Sequence, residues 1–316
     1  MSGDETARKQ RARSRYSIGE WYGLGFERLN PGKWQAMAQA EVSGAEIRMP
    51  CPFSDLSSCN KKGGICSLRR YEQATTDAPV VGAGPIITTC PARFSENGTI
   101  FQWVGETLLG TTDPIVLGEI GFLDRLRPLE PSPEEESRDF IGRIDNVLIH
   151  PEHRPLDWCA LELQAVYFSG KAMTQEFKLL ANESFETVPF PAAHRRPDWR
   201  SSGPKRLLPQ LQTKVPTIRT WGKKMAVVID EAFFGSLVGL EPERHLSNAE
   251  IVWFVVRYVP TEDGWTLTRH EVVPTRLESS VKALTGGTPL SRERFEAELR
   301  RKIGSRYPSH PLAGRS

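Results

Sequence analysis

Four of the five cysteines fall in one stretch, as Cys51-x7-Cys59-x6-Cys66-x23-Cys90. Four thiolates can close a tetrahedral shell around zinc or iron. In structural zinc peptides such binding contributes on the order of 10 kcal/mol, enough to fold a segment that lacks a core. The stretch has that need: between Cys51 and Cys90 there is little hydrophobic periodicity and much turn chemistry, notably Lys61-Lys62-Gly63-Gly64. The spacing is not the paired C-x-x-C pattern, so a set of independent buried thiols is the competing reading. Cys159 stands apart in an apolar run and reads as a small buried residue.

A second constellation is acidic. Asp145 lies in the apolar run IDNVLIH, and Glu162 and Gln164 lie in WCALELQAVYF. Period-two geometry puts Glu162 and Gln164 on one face of a strand. If the two runs are adjacent strands, Asp145 approaches Glu162, and two carboxylates there suit Mg²⁺ beside a scissile phosphate. Gln164 would orient water or phosphate by hydrogen bonding. Strand carboxylates that are solvated or paired with arginine are the alternative, although burying them without any partner costs several kcal/mol. Glu119, in VLGEIGF, is an accessory candidate.

Charge is distributed unevenly. The chain carries a formal net charge of +2, yet Gly105 to Leu163 holds 13 acidic residues against five arginines, and His194 to Lys224 holds nine basic residues against Asp198. The first segment suits cations and the second polyanions. In the second, Arg195, Arg196, Arg200, Lys205, Arg206, Lys214, Arg219, Lys223 and Lys224 are candidate DNA contacts. Arginines read guanine edges, and phosphate contacts confer steep salt dependence. A solvated basic loop would have the same composition. Arg8 to Arg15 reads as part of a mobile basic arm.

These residues need a scaffold. Asn30-Pro31 opens a helix, and Ile100, Phe101, Val104 and Leu108 mark another that stops at Gly110. Ile115 to Leu123, Ile144 to His150 and Trp158 to Phe168 read as strands separated by proline-rich or charged loops, and MAVVID at Met225 to Asp230 reads as a buried strand. Ile251 to Val259 and Trp265 to Val273 predict a hairpin across Pro260 to Gly264, with Gly264 at positive φ. Two helices follow, one ending near Gly286 and one after Ser291.

The length of 316 residues exceeds what a single core usually serves, and 39% hydrophobic with 25% charged residues excludes general disorder. The start has no apolar signal core, and the longest apolar run, Ile251 to Val256, is far short of the ~20 residues that span a bilayer. The expectation is a cytoplasmic protein, in which clustered cysteines hold metal more often than disulfides.

Taken together, CPFSDLSSCNKKGGICSLRRY, TTCPARF, IDNVLIH followed by WCALELQAVYFSG, and LQTKVPTIRTWGKKMAVVIDEAFF resemble the NotI family of restriction endonucleases. The resemblance implies an α/β fold with a PD-(D/E)xK core, a mixed central sheet and a small four-cysteine subdomain. It implies that Cys51, Cys59, Cys66 and Cys90 bind iron and that Asp145, Glu162 and Gln164 form the catalytic set. It also implies a homodimer acting on GC-rich palindromic double-stranded DNA. Two departures stand out: Ile144 precedes Asp145 where proline is nominal, and Gln164 takes the place of lysine. The expected layout is a basic arm at 1–29, a helix and cysteine subdomain at 30–94, a nuclease core at 95–240 that includes the basic segment 194–224, and a C-terminal hairpin with helices packed on the core at 241–316. The expected activity is type II, Mg²⁺-dependent cleavage of DNA. A noncatalytic metal-stabilised DNA-binding protein and an iron-sulphur sensor remain the alternatives.

Overall fold

The computed structural model describes residues 12–45, 49–54, 58–124, 140–286 and 290–311. An N-terminal antiparallel sheet comes first, built from β1 (Arg13–Trp21), β2 (Leu24–Gly25), β3 (Ile65–Gln73) and β4 (Val81–Thr88) in the order β2-β1-β3-β4. Helix α1 (Pro31–Ser43) starts as its sequence predicts: the Lys33 N–H donates to the Asn30 side chain at 2.8 Å, with Pro31 at the first helical position. Between α1 and β3 the chain turns through Gly63 and Gly64, both left-handed; a Cβ on Gly64 would lie 2.2 Å from the Tyr22 ring.

The main sheet has six strands. Helix α2 (Thr99–Leu109) leads into β5 (Ile115–Asp124), β6 (Phe140–Ile149) and β7 (Trp158–Leu163), which pair antiparallel. A small ribbon pairs β8 (Phe168–Gly170) with β9 (Arg195–Pro197), on either side of α3 (Thr174–Asn182). Helices α4 (Trp199–Ser202) and α5 (Leu208–Thr220) are joined by a wide helical turn at Gly203–Leu207 and lead to β10 (Met225–Asp230). After the short α6 (Glu231–Phe234) come β11 (Ile251–Pro260) and β12 (Trp265–Thr275), then α7 (Leu277–Thr285) and α8 (Arg292–Arg306). The strand order is β12-β11-β10-β7-β6-β5, and β10 runs parallel to both of its neighbours, so the sheet is mixed, as expected.

Both faces of the central strands are buried under helices, while the edge strand β5 is largely exposed. Ala226 and Val228 face a core completed by Ile100, Trp103 and Val104 of α2. Met225, Val227 and Ile229 face the opposite core, with Leu211, Val215 and Ile218 of α5 and Leu284 of α7. Alternation along one fully buried strand therefore feeds two cores, the mark of a central strand. A third core lies under the N-terminal sheet, where Trp21, Phe26, Trp34 and Tyr71 meet Phe177 and Leu180 of α3.

Four expectations require correction, and one segment left without a secondary-structure assignment is resolved. Residues from Arg13 onward are not a mobile arm: Arg13–Trp21 pairs with β3 along its length, and Arg15 donates to the Pro191 carbonyl at 2.8 Å. Arg8, Lys9 and Arg11 lie outside the described residues. The strand from Trp158 ends at Leu163 instead of Phe168; beyond it the Gln164 N–H still donates to the Val228 carbonyl, but the Val166 N–H turns to the Thr88 carbonyl of the N-terminal sheet. The basic segment is mainly helical, its prolines tolerated at helix starts and at Pro216 within α5. Gly264 does not have a positive φ; glycine is required there because a Cβ would lie 2.9 Å from the Gly25 backbone nitrogen. Finally, α8 begins at Ser291 as predicted, but it buries no residue, with Phe295 and Leu299 exposed.

Candidate active site

The antiparallel register of β6 and β7 aligns Asn146 with Leu161, so the next position sets Asp145 beside Glu162. The Leu163 N–H also reaches Asp145 Oδ2, at 3.4 Å. Glu162 is buried, and its pKa is pushed up to about 7, first by desolvation and then by the negative charge of Asp145. Lys214, on α5, opposes that rise from 2.6 Å. Gln164, the residue just past the end of β7, is buried, and its Nε2 donates to the Ala165 carbonyl at 2.6 Å.

Asp145, Glu162 and Gln164 share a cavity of about 470 Å³ with Lys61, Lys205 and Arg206. The sequence reading brought the three acidic-motif residues together correctly but did not foresee the rest of the wall. Lys61 comes from the cysteine segment and donates to the Thr89 carbonyl at 2.9 Å. Lys205 and Arg206 are exposed in the wide turn before α5. The guanidinium of Arg206 lies 3.5 Å from the Tyr167 ring centre and donates to its hydroxyl at 2.6 Å. That stacking holds a cation at the mouth with its remaining N–H groups toward solvent. The KKGG turn signalled where Lys61 bends, but nothing local signalled that it points toward a strand a hundred residues away.

The other basic candidates divide sharply. Arg195 is buried in a bidentate pair with Glu176 and also donates to the Lys171 and Ala172 carbonyls. Lys214 is buried against Glu162 and Gln210. Both are therefore internal, not DNA contacts, since neither can reach a phosphate without abandoning its partner. Lys223 is tied to Asp157 at 2.6 Å, and Lys224 to the Ser247 and Ala249 carbonyls. Arg219 pairs with Glu250 on the far end of α5, while Arg196 and Arg200 are exposed. Glu119 is exposed, pairs with Arg143 at 3.0 Å, and holds a positive φ of 47°.

All five cysteines are free thiols. Burial raises the pKa values of Cys66 and Cys90; Cys90 and Cys59 add to the first rise, and Cys51 and Cys59 to the second. The four thiols thus share one neighbourhood, which the Cys90 N–H helps fix by donating to the Cys66 carbonyl at 3.2 Å. Four soft donors suit a thiophilic metal. They are not drawn into a shell: among the described residues no three of His, Cys, Asp or Glu are arranged to hold a metal ion. Cys159, 1% exposed, is the buried residue expected of it, its thiol pushed up to about 12 by burial.

No helix among the described residues is long and apolar enough to cross a membrane. No curated protein matches the chain. The family model described as restriction endonuclease NotI matches residues 36–268, a span that takes in the four clustered cysteines, Asp145, Glu162, Gln164 and the whole cavity wall. That span is well over half of the chain, and the chain belongs to the NotI family of restriction endonucleases, enzymes that hydrolyse DNA.

Proposed function

We propose that this chain is a type II enzyme that hydrolyses phosphodiester bonds of double-stranded DNA at a specific sequence, with Asp145 and Glu162 as its catalytic carboxylates. The observation that carries the reading is the carboxylate pair on adjacent strands, opening into a cavity rimmed by Lys61, Lys205 and Arg206. An acidic floor under a basic rim is what a phosphodiester and a divalent cation together require. The oxygen donors of Asp145 and Glu162 fit Mg²⁺, which when bound would polarise the phosphate and acidify a water. Lys205 and Arg206 receive the backbone phosphates, and Gln164 orients the reacting groups through its amide. Arg196 and Arg200 extend the contact surface along the exposed side of the same segment.

Cys51, Cys59, Cys66 and Cys90 form a structural iron or zinc centre in this reading, supported by their shared neighbourhood. Two copies acting on a symmetric, GC-rich site would put one carboxylate pair on each strand. The test is cleavage of DNA of mixed sequence with Mg²⁺, for the wild type, Asp145→Asn and Glu162→Gln. Discrete fragments from the wild type, and binding without cleavage by both variants, are expected. Wild-type protein that binds DNA but yields no fragments with any of several divalent ions would leave a DNA-binding protein without catalysis.

A further inference from the structure

Gln164 stands where the nominal PD-(D/E)xK motif has a lysine, so the acidic pair receives no cation from its own strand. Helix α5 supplies one from the opposite layer. The Nζ of Lys214 lies 2.6 Å from Glu162 Oε2 and 2.8 Å from Gln210 Oε1, with the side chains of Lys214 and Glu162 only 6% and 2% exposed. Lys214 does not line the cavity, whereas Glu162 and Gln210 do. It therefore lies behind the carboxylate.

Burying an ammonium and a carboxylate is costly, and apolar side chains of similar size would often pack such a helix–sheet contact at least as well. Leu211, Val215 and Ile218 do so on the same face of α5. The charged pair is placed only where that face meets the acidic floor of the cavity. Its geometry is directional: Lys214 fixes one oxygen of Glu162 from behind, Asp145 adjoins the carboxylate from β6, and Gln210, one helical turn before Lys214, holds the ammonium in place.

We propose that Lys214 is the positioning residue of the catalytic carboxylates, a cation delivered from helix α5 that orients Glu162 in place of the strand lysine replaced by Gln164. This rests on the nuclease reading given above. Lys214 acts through Glu162 and makes no contact with DNA.

The experiment compares wild type, Lys214→Met, Lys214→Arg, Glu162→Gln and the Lys214→Met/Glu162→Gln double variant. Three quantities are measured: single-turnover cleavage, DNA affinity without divalent ions, and thermal unfolding. Lys214→Met is expected to slow cleavage roughly 10- to 100-fold, as for other residues that orient a ligand from behind. DNA affinity should stay unchanged, and Lys214→Arg should recover most of the rate. In the Lys214→Met/Glu162→Gln double variant the two single losses in Tm should not add, because each strands the other's charge.

Three results would overturn the assignment alone: a Lys214→Met enzyme that cuts at the wild-type rate, DNA affinity that falls in step with cleavage, or additive losses in Tm. A wild-type chain that cuts no DNA would overturn the nuclease reading itself, while the unfolding cycle would still report whether the two residues are coupled.

Discussion

Asp230 accepts the Thr88 N–H through Oδ2 and the Phe233 N–H through Oδ1, both at 2.8 Å. One carboxylate at the end of the central strand β10 thus caps α6 and fastens the end of β4, two residues before Cys90. The two sheets are joined at this point by a group that is 1% exposed.

Desolvation pushes the Asp230 pKa up to about 6, from an ordinary aspartate value of 3.8. The folded chain therefore holds this proton where the unfolded chain has released it, and stability from Asp230 is lost as pH rises from about 4 to about 6. The span of about two units corresponds to about 3 kcal/mol. Asp230→Asn removes that dependence while misplacing an amide against the Thr88 N–H. Its deficit relative to wild type should narrow as pH rises through this window, measured by urea unfolding at several pH values.

The Arg93 guanidinium is fully buried, lies 2.9 Å from Glu20, and sits 4.4 and 4.6 Å from the ring centres of Phe53 and Tyr258. Arg93→Met leaves Glu20 without its cation and should destabilise the fold by roughly 3–5 kcal/mol. Adding Glu20→Gln should restore part of the loss, a recovery visible in denaturant midpoints.

Two arginines eleven positions apart should behave oppositely. Arg206→Ala removes an exposed cation at the cavity mouth, and the slope of log affinity against log salt should shrink by about 0.9. Arg195→Ala strands buried Glu176, so it should lower Tm and leave the salt slope of the folded protein unchanged. Anisotropy titrations across a salt series, paired with thermal melts, distinguish the two.

If the clustered thiols hold metal, the purified chain carries close to one iron or zinc per molecule by elemental analysis. Cys51→Ser should abolish that content and lower Tm, whereas Cys159→Ser should keep the metal, because Cys159 belongs to the main core.

Much of the framework could be read locally. The Asn30 cap, the Gly110 and Gly286 helix stops, and the buried strand of the apolar run Met225 to Asp230 all follow from short-range chemistry. So did the meeting of Asp145 with Glu162, once two apolar runs were taken as neighbours. The basic segment was misjudged because composition carries no facing: Arg195 and Arg196 are adjacent, yet one is buried and the other exposed. Prolines at 204, 209 and 216 also hid the helical period of α5, and with it the inward direction of Lys214. The β1 pairing was illegible for a different reason, since its partner strand lies some fifty residues on.

The position of β10 has a consequence for biosynthesis. Strand β7 is complete at Leu163, but its parallel neighbour begins only at Met225, and the lysine behind Glu162 arrives at residue 214. A ribosome-bound chain that ends before them leaves β7 as an open sheet edge with Glu162 unpaired. Because chains emerge N-terminus first, the order of synthesis completes the surroundings of Glu162 only once most of the polypeptide exists.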